Sequence, residues 1–376
     1  MKILVVVNLC APYRVGLFEL LAKAHDIRFL FFSGGEERYY DGQRLLGKFR
    51  GEYLWGFNIG PKIRVNPKLL WELMFSDYTH IIVGINGPLP VFLSFVVSKL
   101  RRKKVVLWTG LWQHPGTLFH KMSFPVVKAL YRWSDAIIVY GRHVKKYLTS
   151  LGIPSEKIAV AWQVQDNRKF EKLVTENQKE AKKKELGIKT TRVILYVGRL
   201  VEQKGIRLLL EAFKSLGNSD VSLALVGRGP LEDEIKRYAS SRGKVFHVSR
   251  VPPEELYVYY AISDILVLPS ITTPTIKETW GFVVNEGMCQ GCAIITSDAV
   301  GAGVGGLVEP GANGFVIPEA DSGALTVVLE RMLGDKNMLE KMKARSREII
   351  REWTYPKMAS GFTEALAIAD GTDNRK

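Results

Sequence analysis

Two glutamates stand eight positions apart in Glu278-Thr279-Trp280-Gly281-Phe282-Val283-Val284-Asn285-Glu286. Paired carboxylates first suggest general acid and base work, but their setting argues for holding a ligand. Asp264-Ile265-Leu266-Val267-Leu268 reads as a strand that runs into Pro269-Ser270, and Trp280 to Val283 opens a helix. The first N–H groups of a helix lack intrahelical partners and favour an anion, so Gly281, Phe282 and Val283 are candidate backbone donors. Glu286, one turn further in, would accept hydrogen bonds from the two hydroxyls of a ribose, as acids do in dinucleotide-binding folds. Glu278, in the preceding loop, would meet the hydroxyls of a sugar. Two cations complement the acids. Gly198-Arg199-Leu200 closes a strand, and Lys204-Gly205 precedes a helix. The planar fork of Arg199 and the compact charge of Lys204 would hold a diphosphate and stabilise it as it leaves. Val226-Gly227-Arg228-Gly229-Pro230 is a second glycine-rich strand exit, read either as a close backbone approach to a ligand or as a plain turn. The acids of Leu231-Glu232-Asp233-Glu234 read as favourable charges in the first turn of a helix, not as metal ligands.

These residues need elements to place them. Strands are expected at Ile3–Val7, Ile27–Phe32, Ile81–Val83, Val105–Trp108 and Ala136–Val139, with helices at Gly16–Ala24, Pro90–Leu100 and Phe119–Trp133 between them. Asn167–Glu185 is almost wholly polar and reads as a linker or a surface helix that starts a second domain. The alternation then resumes with strands Val193–Val197, Val221–Val226, Val245–Val248, Ile265–Leu268 and Ala293–Thr296. The expected helices are Ile206–Leu216, Leu231–Arg242, Phe282–Gln290, Leu325–Leu333, Leu339–Glu352 and, after a break at Pro356, Lys357–Ala369. Strands alternating with helices imply parallel βαβ units, hence an α/β chain of two doubly wound domains with a cleft at the carboxyl ends of their sheets. The expected domains are residues 1–165, completed by a C-terminal segment 353–376, and residues 166–352.

Composition narrows the rest. The chain has 376 residues, 47% hydrophobic and 24% charged, as ordered globular proteins do. The net charge of +15 is uneven: residues 1–165 hold 23 Lys and Arg against 10 Asp and Glu. That half suits an anionic partner such as lipid, lipid-linked phosphate or nucleic acid. Arg101-Arg102-Lys103-Lys104 follows the apolar stretch Leu89–Leu100, and with Arg142, Lys145 and Lys146 makes an anionic membrane surface a candidate partner. No recognition helix or stacking platform supports nucleic acid. Cys10, Cys289 and Cys292 form no disulfide framework, and the Cys-Gln-Gly-Cys pair lacks the second pair that zinc needs, so the expectation is buried thiols in a reducing cytoplasm. The apolar run at Met1–Val7 is too short for a signal peptide and reads as a first strand. No run approaches the length of a transmembrane helix. The expected location is cytoplasmic, with a peripheral place on the inner face of the cytoplasmic membrane if lipid contact holds.

The C-terminal half resembles the retaining glycosyltransferases of family 4, which have the GT-B fold: two Rossmann-like domains facing across a cleft. The resemblance rests on Gly198-Arg199-Leu200 with Lys204-Gly205, Val226-Gly227-Arg228-Gly229-Pro230, Asp264 with Pro269-Ser270 and the Glu278/Glu286 pair. It continues through Gly287-Met288-Cys289-Gln290-Gly291, Ser297-Asp298 and Gly311-Ala312-Asn313-Gly314. It implies a nucleotide-diphosphate-sugar donor and a glycan or lipid-linked acceptor. Arg199 and Lys204 would bind the diphosphate, and Glu286 the ribose. Glu278 with the Gly281–Val283 backbone would hold sugar and phosphate, and the base would lie near Arg250-Val251. The N-terminal half fits less well. The family often has paired glycines after the first strand; here only Gly16 remains, preceded by Arg14, which would contact acceptor or phosphate or else form a surface salt bridge. The family often has a His at the end of the strand matching Val105–Trp108; here His114 is the nearest candidate, some residues late, with a structural His as the alternative.

The resemblance implies retention at the anomeric carbon. No clear carboxylate nucleophile stands in the N-terminal half, which favours same-face attack, with the leaving phosphate oxygen taking the acceptor proton. No Asp-x-Asp motif is present, so no metal and no cofactor is called for. The rivals are a nucleotide-sugar epimerase, a glycosyl phosphorylase and a non-catalytic basic protein that binds membrane or nucleic acid.

Overall fold

The computed structural model describes residues 1–33, 46–60, 63–217, 220–241 and 243–372. Arg242, expected at the end of a helix, and residues 373–376 of the expected C-terminal segment lie outside them.

The chain forms two compact units. The first comprises Met1–His114, Leu118–Gln165 and Tyr355–Lys376, and the second Pro115–Thr117 and Asp166–Thr354. Unit 1 runs β1 (Lys2–Val7), α1 (Val15–Ala24), β2 (Asp26–Phe31), β3 (Gly51–Tyr53), a small hairpin of β4 (Phe57–Ile59) and β5 (Ile63–Val65), α2 (Pro67–Phe75), β6 (His80–Gly84), α3 (Pro88–Leu100), β7 (Lys104–Thr109), α4 (Leu118–Trp133), β8 (Ala136–Val139), α5 (Arg142–Ser150) and β9 (Ile158–Val160). Its seven strands lie in the order β3-β2-β1-β6-β7-β8-β9 and pair in parallel throughout.

Unit 2 opens with α6 (Glu176–Leu186), a surface helix, which is one of the two readings of the polar stretch 167–185. Thr175 and Gln178 close a capping box on it, and it buries no residue. Then follow β10 (Arg192–Val197), α7 (Ile206–Ser215), β11 (Val221–Val226), α8 (Glu232–Ser240), β12 (Val245–Val248), α9 (Leu256–Ala261), β13 (Ile265–Leu268), α10 (Val283–Gln290), β14 (Ala293–Ser297), α11 (Gly301–Val304), β15 (Gly314–Ile317), α12 (Ser322–Gly334) and α13 (Lys336–Arg351). Its sheet, β12-β11-β10-β13-β14-β15, is also parallel.

Parallel sheets covered on both faces bury every strand position, which explains the unbroken apolar runs. All of β8, β13 and β14 is buried. In unit 1, residues of α2 to α5 cluster with Leu4, Val6, Ile81, Val83, Val105, Leu107, Ile137 and Val139 on one face of the sheet. The other face is covered by α1 and by the last helix, α14 (Tyr355–Asp370), which packs along β7, β8 and β9. Pro356 stands in the first turn of α14, where its missing N–H costs nothing, so the expected break is a helix start.

Two features fix α14 in place. Gly361 lies so near β9 that a Cβ there would sit 2.5 Å from the Val160 carbonyl oxygen. Phe362, fully buried, meets the Trp108 ring edge-on at 5.0 Å. Phe362→Ala should therefore cost ~3–5 kcal/mol of stability. Urea denaturation of unit 1 would read this, and a loss below ~1 kcal/mol would show that α14 is not part of the core.

Candidate active site

A parallel sheet delivers every strand exit to one edge. In unit 2 the chain builds β10, β11 and β12 outward in one direction and then returns to the other side of β10 with β13. The edge between β10 and β13 is thus the point where strand order reverses, the usual place for a ligand in such sheets.

The structure brings the predicted cation and acid together at that point. Lys204, in the turn after β10, forms an ion pair with Oε2 of Glu278, in the loop after β13. Both side chains are about four-fifths buried, 15% and 21% exposed. The loops can come this close because of Gly205. Its φ is +66°, and a Cβ there would lie 1.9 Å from the Pro269 carbonyl oxygen. Arg199 is exposed on the same edge, and its backbone carbonyl accepts a hydrogen bond from the buried Tyr196 hydroxyl at 2.8 Å. Next to it, Gly227 has φ +148°, and a Cβ would fall 1.8 Å from the Gly198 carbonyl oxygen. The glycine is thus required by backbone pressing on backbone. Arg250 and Val251 follow β12 at the same edge, Arg250 exposed and Val251 half-buried.

The loop carrying Glu278 is held along its length. Glu278 bridges Val300 in parallel, and its carbonyl accepts from the Gly301 N–H at 3.1 Å. Trp280 is buried; its indole Nε1 donates to Asn285 Oδ1 at 2.8 Å and its ring lies 5.5 Å from Trp353. Helix α10 begins at Val283, one residue later than expected. Its first turn is tight, with the Val284 N–H donating to the Gly281 carbonyl at 3.0 Å and the Glu286 N–H to that of Phe282 at 3.1 Å.

Glu286 faces a residue that the sequence reading missed. The buried Tyr260 hydroxyl on α9 donates to Glu286 Oε2 at 2.5 Å. Burial first, and then the negative charge of Glu286, push the phenol well above its ordinary pKa, so it stays a donor. Nothing in the local pattern announces this contact, because α9 is six residues long and lies 26 positions away. Ser270, directly after β13 and one of the residues that carry the resemblance, has a buried Oγ with no partner among the described residues. Asp264 sits at the opposite edge of the sheet, where it accepts from the Val193 N–H at 3.0 Å, Arg192 at 2.8 Å and Lys343 at 3.0 Å. Its work is structural.

The N-terminal candidates look different. Arg14 is only 4% exposed, which overturns the surface salt bridge. Its guanidinium lies 4.5 Å from the Trp108 ring centre and donates to Gln163 Oε1 at 2.6 Å and to the Met358 sulfur at 3.2 Å. Gly16 faces α14: a Cβ there would meet the Tyr355 ring at 2.5 Å, which gives the glycine a packing reason. His114 Nε2 bonds the His120 backbone carbonyl at 2.6 Å, so that nitrogen is a donor, and its ring lies 4.5 Å from Phe124. All three cysteines are free and buried; burial raises the Cys10 and Cys292 thiols to about 12, and that of Cys289 likewise upward.

Known proteins resemble the chain in both units. The family model described as Glycosyl transferases group 1 matches residues 177–349, and that described as Glycosyltransferase Family 4 matches residues 16–162. The chain belongs to glycosyltransferase family 4. Among relatives of this family it is 25% identical over 243 residues to the alpha-D-kanosaminyltransferase of Streptomyces kanamyceticus, covering 62% of this chain and 61% of that protein. It is 26% identical over 181 residues to the GDP-mannose-dependent alpha-(1-6)-phosphatidylinositol monomannoside mannosyltransferase of Mycolicibacterium smegmatis, covering 46% of this chain and 47% of that protein. Both matches thus span less than two thirds of the relative's length. The crystal structure of Anabaena Alr3699/HepE in complex with UDP superposes with a TM-score of 0.74 at 18% identity, covering 98% of this chain and 100% of that one, and speaks for the fold. The architecture is the GT-B glycosyltransferase fold. Among the described residues no helix is long and apolar enough to cross a membrane.

The Tyr260–Glu286 bond yields a test. Tyr260→Phe removes one donor from a carboxylate and keeps the ring, so stability should fall by ~1–3 kcal/mol in thermal or urea unfolding. No change would mean that solvent already satisfies that oxygen.

Proposed function

We propose that the chain transfers a sugar, with retention of anomeric configuration, from a nucleotide-diphosphate-sugar to a glycan or lipid-linked acceptor. The observation that carries this is the Lys204–Glu278 pair at the reversal point of the unit 2 sheet. A paired, largely buried cation at a strand exit is a fixed charge for a leaving diphosphate, and fixed charges need no reorganisation when the bond breaks. The UDP bound in the Anabaena structure, and the GDP-mannose and phosphatidylinositol monomannoside in the name of the mycobacterial mannosyltransferase, support the reading.

In this scheme Arg199 joins Lys204 on the diphosphate, and Glu278 orients Lys204 while its remaining oxygen meets a hydroxyl of the transferred sugar. The backbone of Gly281–Val283 faces the distal phosphate and sugar. Glu286, with one oxygen held by Tyr260, takes the ribose, and the base lies over Arg250-Val251. The sugar's anomeric carbon loses its bond to the phosphate oxygen and gains one to the acceptor oxygen on the same face. The acceptor proton passes to the departing phosphate oxygen, whose charge Arg199 and Lys204 stabilise. The chain supplies these groups without a cofactor.

Two measurements test this. A panel of nucleoside diphosphates should raise the melting temperature for at least one base, because a ligand at 100 times its Kd adds ~2.7 kcal/mol. With the donor so found, Lys204→Ala should lower turnover by ~10²-fold or more while the fold survives, and NMR of the first product should show retained configuration. Near-normal turnover in Lys204→Ala would remove the diphosphate role, and an inverted product would remove same-face attack.

A further inference from the structure

Unit 1 exposes an apolar surface that the donor site does not use. On α4, Leu118, Met122, Val126 and Trp133 are 74%, 73%, 50% and 67% exposed. Their spacing places them on one stripe along a helix of about 24 Å at 1.5 Å per residue. This stripe is not the inner face: Leu130 and Tyr131 are buried in the core cluster. Lys121, Lys128 and Arg132, seven and then four positions apart, form a second stripe beside it. Across from α4, exposed Phe92 and Leu100 of α3 line the other wall of a groove of ≈ 810 Å³, rimmed by Lys99 and Lys104.

The charge on this face is mostly positive. Between Asp77 and Asp135 the chain carries eight Lys and Arg and no Asp or Glu. The two carboxylates that line the groove are engaged, Asp135 by Lys99 at 2.7 Å and Asp370 by His80 at 2.9 Å. The expected basic run Arg101–Lys104 contributes less than its sequence suggests. The Arg101 guanidinium donates to the Leu73 carbonyl at 2.6 Å and lies 5.2 Å from the Tyr78 ring centre, with the Lys103 ammonium 5.7 Å from the same ring.

We propose that the outer face of α4, with the α3 wall beside it, lies on an anionic lipid bilayer surface. Exposed Leu, Met, Val and Trp enter the boundary between headgroups and acyl chains, while Lys121, Lys128 and Arg132 reach headgroup phosphates from the adjacent stripe. The chemistry favours lipid over the other occupants. A second copy would oppose like charges across a desolvated contact. Nucleic acid would use the cations but gains nothing from an aliphatic stripe. The face serves the lipid-linked branch of the acceptor reading, yet its binding is measured without donor, acceptor or turnover.

The test uses the full chain and two vesicle preparations, phosphatidylcholine alone and phosphatidylcholine mixed with phosphatidylglycerol. The wild type should sediment with the anionic vesicles at low salt and release at high salt. Met122→Ser with Trp133→Ser, and separately Lys121→Glu with Lys128→Glu, should each weaken that binding at least ~10-fold. Both variants should keep the melting temperature and the nucleotide-induced shift of the wild type, since these side chains are on the surface. The proposal falls if the wild type does not bind anionic vesicles, if either pair of substitutions leaves binding unchanged, or if the wild type is a dimer that the Met122→Ser and Trp133→Ser substitutions dissociate.

Discussion

One ion pair organises the loops of unit 2 at the strand-order reversal. Lys204 and Glu278 come from loops on either side of the strand-order reversal, and neither charge could sit in its largely buried place alone. Stripping water from an ammonium or a carboxylate is expensive unless the opposite charge replaces it. The pair therefore fixes two loops to each other as well as two charges. Gly205 is the steric condition for it, because any side chain there would collide with the Pro269 carbonyl oxygen. Close approach of two strand exits, at Gly205 and again at Gly227, is the local form of the constraint that a parallel sheet imposes.

Around that pair, each group of the candidate site is held from a different element. Trp280 fastens the Glu278 loop to Asn285 of α10, and Tyr260 of α9 holds one oxygen of Glu286. The two glutamates are thus supported in different ways, one by a cation and one by a neutral buried phenol. That asymmetry suits holding groups with separate hydroxyl partners better than an acid and base that exchange a proton. In the proposed function the chemistry then falls to the substrate's own diphosphate, with the protein supplying fixed charge and position.

The strand skeleton was legible because parallel strands buried on both faces must be apolar throughout. Ala136–Val139, Val221–Val226, Val245–Val248 and Ile265–Leu268 were read to the residue. Other elements were not legible, for physical reasons. Edge strands β3, β4 and β5 have three residues each, α9 has six, and β15 begins with a glycine. Helix α5 is polar on all but a few positions. Arg199, Lys204, Glu278 and Glu286 stood out because strand ends and helix starts are visible in one dimension. The contacts that set their geometry join segments tens of residues apart, as Lys204 with Glu278 and Tyr260 with Glu286 do, and no local pattern encodes these.

The same limit shaped the reading of charge in unit 1. Arg101-Arg102-Lys103-Lys104 is the most conspicuous basic run in the sequence, but it lies at a helix end, where Arg101 also finds the carbonyls of Leu73 and Ser76. A contiguous run at a turn sends its side chains in several directions. Charges three, four or seven apart on a helix point one way. Helix α4 conceals this because it is apolar on two faces, one packed on the sheet and one open. A search for a single apolar stripe reads it as an ordinary core helix. Burial separates the two faces: Leu130 and Tyr131 turn inward, and Met122, Val126 and Trp133 outward. Water does not favour an open apolar stripe this long beside a row of cations. Its persistence within a 57-residue stretch without a single acid is best accounted for by a partner that is apolar beneath and anionic on top.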